Sequence, residues 1–478
     1  MKHIVLLLCG CLLFPAIFAQ PASVLKTEVL RNAGCSYSVI NAEDGRVITE
    51  NLQVSLVPAS VMKLVTTAAA LEILGTEFKF HTRLGITGTV NTASGLLEGN
   101  LVLMGGCDPA FYSEYFADYY KGTFEAWAEA LSNAGIKSIK GDFIIDLSRM
   151  AGVSVPGGWV WADIGNYYGA GVSALTYSDN YYKIHFSSPA QPGKPVKING
   201  KFPVIDSLYL ENRVFSSDIN RDLSSVYGAP GSFTQLVEGT IPKGNPDFIV
   251  KAAMPAPAGA AITEFTRILK HYNIGISGKI RYATVLPEEA FTVIADKSSP
   301  PLSELIVPLN HESINLFAEH LLREIGRARK GSSDLDSSLV ALSGFWQEKN
   351  IFLKGFYPTD GCGLSRSNGI SPRTLTEILR YMYLGPYRDV FFNSLPVAGR
   401  SGTLRNVFKG TKFENNLHAK TGSMTRVRSL AGIFTNPKGQ KVIFAIITNN
   451  FEGSQASAGH SIENFMREIY SSSGENKK

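Results

Sequence analysis

The chain has 478 residues, of which 44% are hydrophobic and 18% are charged. This composition is typical of a globular protein with a large apolar core, and the length favours two or three domains. The formal net charge of +5 is small for this length, and lysine and arginine are scattered without runs. These features exclude an intrinsically disordered chain, and they indicate neither a nucleic-acid-binding surface nor a polybasic membrane anchor.

The N-terminal segment, residues 1–19, is typical of a secretory signal peptide. A basic Lys2 precedes an apolar stretch at 4–14, and Ala19 is a small residue after which cleavage can occur. The apolar stretch is too short to span a bilayer comfortably. Lipid attachment at Cys11 is an alternative, although the apolar run continues past that residue. We expect an exported, periplasmic protein that is soluble or at most peripherally associated with the membrane.

After this segment the chain predicts a hairpin, a helix and two more strands. Residues 35–50 alternate between apolar and polar side chains around a turn at Asp44 and Gly45, which indicates two antiparallel strands. An apolar helix follows over residues 57–75. The two later strands are predicted at 79–88 and 97–104.

A helix–turn–strand unit then occurs twice, which suggests paired halves of one subdomain. The first copy begins with a predicted helix at 124–133 and continues into the strand of "GDFIID", and the second copy lies at 265–285. Residues 165–257, between the copies, are rich in Gly, Pro, Ser and Tyr and contain short alternating runs. That composition predicts a β-rich insertion.

The last third of the chain returns to helices and ends in strands. Long helical patterns begin near residue 302, and three strands are predicted over residues 418–450. A turn in "NPKGQ" separates the last two strands, and a final helix is predicted at about 461–470.

This order of elements predicts an α/β fold built from two sequence segments. The first segment comprises residues 20–85 and the second comprises residues 290–478. A large insertion at 86–289 separates them, and its inner β-rich part covers about 165–257.

Common catalytic and metal-binding motifs are incomplete in this sequence. "HESIN", residues 311–315, lacks the second histidine of a zinc-protease helix, and "GHSIE", residues 459–463, lacks the second glycine of a nucleophile elbow. Cys35, Cys107 and Cys362 have neither the number of a disulfide framework nor the spacing of a metal site. We expect no metal or organic cofactor.

Three short motifs remain, and their order matters. Ser60 and Lys63 form S-x-x-K at the start of the predicted helix, Ser313 and Asn315 form S-x-N, and Lys420 begins K-T-G on a predicted strand. A single such pattern arises by chance, but all three in this order form the set of the penicillin-recognising serine enzymes. The set favours an activated serine.

The residue types suit acyl transfer. Lys63 lies about one helical turn from Ser60, so its amine can take the serine proton if burial and the charge of Lys420 lower its pKa. Free N–H groups at the helix start and at Ser423 can hold an oxyanion. Ser313 can relay a proton to the leaving amine.

The remaining motif residues suit substrate binding. Asn315 can hold a substrate amide, while Lys420 and Thr421 can bind a C-terminal carboxylate by charge and hydrogen bond. The predicted substrate-binding set in the three motifs is Asn315, Lys420, Thr421, Gly422 and Ser423.

Two simpler interpretations compete with an activated Ser60. Alone, Ser60 and Lys63 are equally compatible with an N-capped, solvated helix start. A second S-x-x-K, formed by Ser23 and Lys26, lies just behind the expected cleavage site, with no hairpin before it and a polar, irregular stretch after it. The accompanying S-x-N and K-T-G motifs select Ser60.

The chain resembles the low-molecular-mass class C penicillin-binding proteins, which are D-alanyl-D-alanine carboxypeptidases/endopeptidases. The long gap between Lys63 and Ser313 is itself diagnostic, because this family inserts two extra domains there. The resemblance implies a penicillin-binding, transpeptidase-like (α+β) fold, with an antiparallel sheet flanked by helices and interrupted by a β-rich two-part insertion. The likeness covers essentially the whole mature chain and includes "GGCDPAF" at 105–111, "PGGWVWADIGNYYGAGVSALTYSDN" at 156–180, "DGCGLSRSN" at 360–368, "LPVAGRSGTLR" at 395–405 and "HAKTGSM" at 418–424.

The resemblance also implies a reaction and its partners. It implies a serine peptidase that trims peptidoglycan stem peptides, cleaves D-alanine cross-bridges through an acyl-enzyme on Ser60, and is acylated by β-lactam antibiotics. Asp146 resembles the acidic residue that in this family faces the amine of the peptide side chain, and a surface or turn aspartate is an equal alternative. A β-lactamase and a non-catalytic wall-binding protein stay open as other functions.

Two further features bear on the shape of the substrate site. Cys107 and Cys362 stand where the resemblance leads us to expect Gly and Ser. A group of aromatic side chains either forms a platform for glycan or packs between domains; its members are Trp159, Trp161, Tyr167 and Tyr168.

Overall fold

The computed structural model describes residues 27–284 and 291–473, so the predicted signal peptide and the second S-x-x-K at Ser23 and Lys26 lie outside the described residues. In chain order the strands are β1 (Gly34–Asn41), β2 (Val47–Glu50), β3 (His81–Ile86), β4 (Thr89–Asn91), β5 (Leu96–Glu98), β6 (Leu101–Met104), β7 (Ser138–Ile139), β8 (Phe143–Asp146), β9 (Tyr181–Ser187), β10 (Lys197–Phe202), β11 (Tyr209–Ser217), β12 (Leu223–Tyr227), β13 (Thr234–Pro242), β14 (Phe248–Ala253), β15 (Gly275–Ile276), β16 (Ile280–Ala283), β17 (Thr292–Ser298), β18 (His418–Met424), β19 (Val427–Thr435) and β20 (Lys441–Asn449). The helices are α1 (Met62–Leu74), α2 (Ala117–Tyr120), α3 (Thr123–Asn133), α4 (Trp161–Ile164), α5 (Pro257–His271), α6 (Leu302–His311), α7 (Asn315–Lys330), α8 (Leu335–Glu348), α9 (Pro372–Leu384), α10 (Arg388–Asn393) and α11 (Gln455–Ser473). Within these residues we find no helix with the length and apolar character that crossing a membrane requires.

A five-stranded antiparallel sheet joins the two ends of the chain. Its order is β18-β19-β20-β1-β2, so the N-terminal hairpin pairs with the last strand, with Gly34 opposite Asn449. β20 is buried on both faces, because successive side chains point to opposite sides of a strand. Ile443 packs into the core that contains α1 and α7, whereas Phe444 packs into a second core that contains α11. The predicted antiparallel sheet flanked by helices is confirmed.

Helix α1 runs through the core beside this sheet. Its side chains from Met62 to Leu71 are all buried, which explains why the sequence of this helix is apolar on every face. The predicted helix at 57–75 begins later than expected, because a single 3₁₀ turn at Ala59–Val61 precedes α1. The helix ends as predicted at Gly75, which has a φ of 82°.

The two helix–turn–strand copies pack side by side. β15 runs parallel to β7, and β16 runs parallel to β8. The rings of Phe124 on α3 and Phe265 on α5 stack with centroids 5.0 Å apart. These strands belong to two sheets, of order β15-β7-β5-β4 and β16-β8-β6-β3-β17. The predicted strand at 97–104 is therefore divided between two sheets, as β5 and β6.

The inner insertion is β-rich, as its composition predicts. Residues 165–257 contain β9 to β14, arranged in two three-stranded sheets of order β10-β9-β14 and β11-β13-β12. The predicted boundary between residues 85 and 86 falls inside β3, which pairs with β17 on the far side of the insertion. The division of the chain into domains stays a prediction.

Candidate active site

Ser60 lies on the tight turn before α1, and two neighbouring segments press against that turn. Ala59 has a φ of 50°, a strained value for a residue with a side chain. A Cβ added to Gly363 would lie 2.0 Å from Ala59 O, and one added to Gly422 would lie 2.7 Å from Pro58 O and 3.0 Å from Ser60 N. Because only glycine allows these approaches, the 363 loop and β18 hold the serine in place.

Lys63 contacts Ser60 and two carbonyl oxygens. Its Nζ lies 3.1 Å from Ser60 Oγ, 2.6 Å from Asn315 Oδ1 and 2.8 Å from Cys362 O. Carbonyl oxygens only accept hydrogen bonds, so a neutral amine donates its two N–H groups to them. Its lone pair then faces the serine hydroxyl, which is the arrangement of a general base.

The environment of Lys63 favours the neutral amine. Burial lowers the pKa of Lys63, while the charges of Cys362, Asp360 and Glu319 oppose that shift. As expected, burial is the leading cause, because the side chain is completely enclosed in the core. The charge of Lys420, the second expected cause, is not among those that act on Lys63.

Ser313 lies in the turn between α6 and α7 rather than on a helix start. Its φ is 62°, and α7 begins two residues later, at Asn315. Lys420 Nζ donates to Ser313 Oγ at 2.8 Å and to Thr421 O at 3.0 Å. This connects the second motif to the third, although 107 positions separate the two side chains.

Lys420 is a buried amine that contacts the Ser313 hydroxyl. Burial lowers its pKa well below the usual range, the charge of Lys63 lowers it further, and Glu312 opposes the shift. Glu312 itself pairs with Arg405 at 3.0 Å. Lys420 is therefore available to a carboxylate supplied by a ligand.

The other predicted binding residues border the same place. Asn315 Nδ2 donates to Tyr168 O at 2.8 Å, which connects the insertion to the second motif. Thr421 and Thr403 share a hydrogen bond of 2.8 Å between their hydroxyls. Ser423 follows Gly422 on β18, the edge strand of the sheet, and lines the cleft together with Ser60. Outward N–H groups of an edge strand are free to bind a ligand.

Two buried acidic residues, Glu319 and Asp360, lie near Lys63. Glu319, Asp360 and Cys362 lie close enough together to suggest a metal site, with ligand atoms within 4.8 Å of one another. The oxygens of Asp360 are already occupied, because Oδ1 accepts from Gly363 N and Oδ2 accepts from Trp159 Nε1, at 2.7 and 2.9 Å. These residues build the loop of the site and do not form an open ligand set.

A cleft of about 350 Å³ opens over Ser60. Two side chains in its lining that the sequence interpretation did not select are Asp163 and Arg366. Burial raises the pKa of Asp163, while the charge of Arg366 and a hydrogen bond from Tyr168 lower it. Both residues lie in stretches quoted for the family resemblance. Nothing in the pattern of those stretches marked either side chain as facing the cleft.

Asp146 occupies a different place. It is buried at the end of β8, its Oδ1 accepts from Ser148 N at 2.8 Å, and it does not occur among the described residues that line the cleft. This geometry matches the turn aspartate that was its alternative interpretation. Its predicted contact with a substrate amine stays a prediction, and the cleft lining favours Asp163 for that role.

The aromatic group divides between both interpretations. Trp159 is 5% exposed and donates to Asp360, so it packs between the insertion and the loop of the site. Tyr167 and Tyr168 line the cleft. Trp161 is exposed, and its ring lies 6.4 Å from that of Tyr227.

Known proteins resemble this chain over most of its length. The profile of the D-Ala-D-Ala carboxypeptidase 3 (S13) family matches residues 19–471. A D-alanyl-D-alanine carboxypeptidase of Actinomadura sp. (strain R39) is 28% identical over 444 residues, which cover 90% of this chain and 80% of the relative. The D-alanyl-D-alanine carboxypeptidase DacB of Haemophilus influenzae is 26% identical over 460 residues, 92% of each chain. The crystal structure of penicillin binding protein 4 from Haemophilus influenzae superposes with a TM-score of 0.81 at 24% identity, covering 95% of this chain and 99% of that one. The family resemblance seen in the sequence is thus confirmed, and the chain belongs to the D-Ala-D-Ala carboxypeptidase 3 (S13) family.

Proposed function

We propose that this protein is a serine D-Ala-D-Ala carboxypeptidase of peptidoglycan that works through an acyl-enzyme on Ser60 and is acylated by penicillins. The observation that carries the proposal is the contact between Lys63 Nζ and Ser60 Oγ, with two carbonyl oxygens taking the remaining hydrogens of the amine. This arrangement supplies a base to a serine that otherwise has none.

Acylation begins when Lys63 takes the hydroxyl proton of Ser60 and Oγ bonds to the carbonyl carbon of the penultimate D-alanine. The N–H groups of Ser60 and Ser423 hold the resulting oxyanion. The C–N bond then breaks as Ser313 delivers its proton to the leaving amine and regains a proton from Lys63, while Lys420 stabilises the Ser313 oxygen. Water later adds to the ester, which releases the shortened peptide as a carboxylic acid and restores Ser60.

Substrate recognition follows from the polar and charged groups in the cleft lining and from Lys420 and Thr421 beside it. Lys420 and Thr421 take the C-terminal carboxylate, and Asn315 takes an amide of the peptide. Asp163 and Arg366 present opposite charges on the peptide side of the cleft, which suits a side chain that carries both an amine and a carboxylate.

We also place the protein outside the cytoplasmic membrane, in the periplasm, after removal of residues 1–19. The segment has the basic start, the apolar stretch and the small residue of a signal peptide. Cleavage of D-alanine cross-bridges is the second activity that we assign to the same serine.

The test is labelling with a fluorescent penicillin. The mature protein should retain a denaturation-resistant label on Ser60, and Ser60→Ala should abolish it. Lys63→Ala should slow acylation by about 10²–10⁴-fold, because it removes the general base. Ser23→Ala is the matched control and should label like the unaltered protein. Rapid loss of the label would indicate a β-lactamase, and labelling without D-alanine release from a stem peptide would leave only a penicillin-binding receptor.

A further inference from the structure

The cleft over Ser60 continues past Ser313 to a wall formed by the insertion. Glu312, which precedes Ser313, lines the cleft together with Tyr115, Asp179 and Lys251. Because Tyr115 lies near both sides of the cleft, burial and then the carboxylates of Asp179, Glu114 and Glu312 raise the pKa of its phenol.

Asp179 has an unsatisfied oxygen in this wall. The residue is 4% exposed, and Oδ2 accepts from Glu114 N at 3.0 Å. Oδ1 makes no well-formed hydrogen bond among the described residues, although the Ser113 hydroxyl is close enough to lower the pKa of the carboxyl. Ser178, Asp179 and Asn180 have φ values of 52°, 56° and 53°, a run that is strained for residues with side chains. An unsatisfied buried carboxyl oxygen destabilises the protein unless a ligand donates to it.

Lys251 is held in place beside Asp179. Its Nζ lies 2.6 Å from Glu114 Oε1 and 2.9 Å from Tyr181 OH, and it lies over the Tyr181 ring at 4.7 Å from the centroid. Glu114 also pairs with Lys183 at 3.1 Å. These contacts fix the ammonium group before any ligand binds, and 39% of Tyr115 remains exposed next to it.

The leaving group of the substrate extends towards this wall of the cleft. Ser313 delivers the proton to the leaving amine, so anything attached to that amine extends away from Ser60 beyond Ser313. When the enzyme removes a terminal D-alanine, the leaving group is a single residue that Lys420 and Thr421 can hold. When it cuts a cross-bridge, the amine belongs to a second peptide strand, which needs additional surface.

We propose that Asp179, Tyr115 and Lys251 form a subsite for the second peptide strand of a cross-bridge. The unsatisfied oxygen of Asp179 accepts from an amide or ammonium group of that strand, Lys251 faces its carboxylates and carbonyl oxygens, and Tyr115 packs on its backbone. This inference rests on the proposed function. It means that residues of the insertion determine how well the enzyme cleaves cross-bridges relative to trimming single stem peptides.

The experiment compares two glycan-free substrates, a pentapeptide monomer and a cross-linked peptide dimer. Asp179→Asn retains the contact with Glu114 N and loses the charge. It should lower the ratio of dimer cleavage to monomer D-alanine release about tenfold, the effect of losing one charge-assisted hydrogen bond. Tyr115→Ala, an exposed position, should lower the same ratio. Asp247→Asn, an exposed aspartate elsewhere in the insertion, is the matched control and should leave the ratio unchanged.

Several results would overturn the subsite. They are an unchanged ratio in Asp179→Asn and Tyr115→Ala, an equal loss on monomer and dimer, or a loss seen only when sugars are attached to the dimer, which would identify a glycan subsite instead. If the unaltered protein binds penicillin and releases D-alanine but does not cut dimers, the subsite and the second activity fail while the proposed carboxypeptidase activity stands. Loss of penicillin labelling and of D-alanine release in the unaltered protein would refute the proposed function itself.

Discussion

Glu319 binds the loop whose Cys362 carbonyl contacts Lys63. Its Oε1 accepts from Gly361 N and Cys362 N, each at 2.8 Å, and Cys362 O accepts from Lys63 Nζ at 2.8 Å. Burial and then the charge of Asp360 raise the pKa of Glu319 to about 7. Glu319 is therefore a positioning residue for the carbonyl of Cys362, and its charge acts on Lys63.

We predict that Glu319→Gln extends acylation to lower pH. Acylation needs neutral Lys63, so its rate rises with pH through the pKa of Lys63. Above about pH 7, where Glu319 is ionised, its charge raises that pKa, so its removal should move this part of the rising limb to lower pH. The measurement is the rate of fluorescent-penicillin acylation at about pH 5 to 9.

Glu348→Gln is the matched control, because Glu348 is exposed at the end of α8 and the substitution removes the same charge far from the site. Its profile should match that of the unaltered protein. If the Glu319→Gln variant is acylated more slowly at every pH and the rising limb of its pH profile does not move, Glu319 has only a structural role.

At the scale of elements, two short segments place the charged side chains of Asp163 and Arg366 in the cleft lining. Asp163 lies on α4, a single turn of helix, and Arg366 lies in the loop that also carries Cys362. Neither segment has a periodicity that marks one side chain as facing a ligand. Asp146, in contrast, ends a regular strand, and its Oδ1 accepts a hydrogen bond from Ser148 N at 2.8 Å.

We therefore predict different effects for two equivalent substitutions. Asp163→Asn should lower kcat/KM about tenfold or more for stem peptides whose side chain carries an amine and should spare peptides that lack it, because a charge-assisted hydrogen bond is lost. Asp146→Asn is the comparison and should affect both peptides alike. The reverse pattern, with selectivity lost in Asp146→Asn, would restore the original assignment.

At the scale of the whole molecule, the insertion takes part in building the site. Tyr168 O accepts from Asn315 Nδ2 at 2.8 Å, and Trp159 Nε1 donates to Asp360 Oδ2 at 2.9 Å. An insertion that only guided polymeric substrate would lie apart from the chemistry. These contacts show that a deletion of residues 165–257 would also remove a backbone partner of Asn315.

We predict that Trp159→Phe destabilises the protein by about 2 kcal/mol, since Asp360 Oδ2 retains Ser365 N but loses its second donor, and the smaller ring opens a cavity. Urea unfolding should show a lower midpoint, and penicillin acylation should slow. Trp161→Phe is the matched control: Trp161 is 56% exposed, so its free energy of unfolding should change by less than about 0.5 kcal/mol. Equal shifts in both variants would mean that the Trp159–Asp360 contact carries no special weight.

The sequence by itself determined the features that depend on local spacing. The three-residue interval brings Lys63 to Ser60 across one turn, and the apolar runs at 418–424, 427–435 and 441–449 are strands, as their patterns predict. The order of the three motifs, with the long gap after Lys63, was enough to identify the family.

Only the tertiary structure decided which distant segments meet. α7 begins at Asn315 because Ser313 adopts a left-handed backbone conformation. The orientation of the Lys63 amine depends on its contact with the carbonyl of Cys362. The charged lining of the cleft includes Asp163 and does not include Asp146. Periodicity reports which face of an element is buried, but it carries no information about contacts between loops that are hundreds of residues apart. Those contacts form only when the sheet, α7 and the insertion pack together, because it is the shared burial that brings the loops within hydrogen-bonding distance.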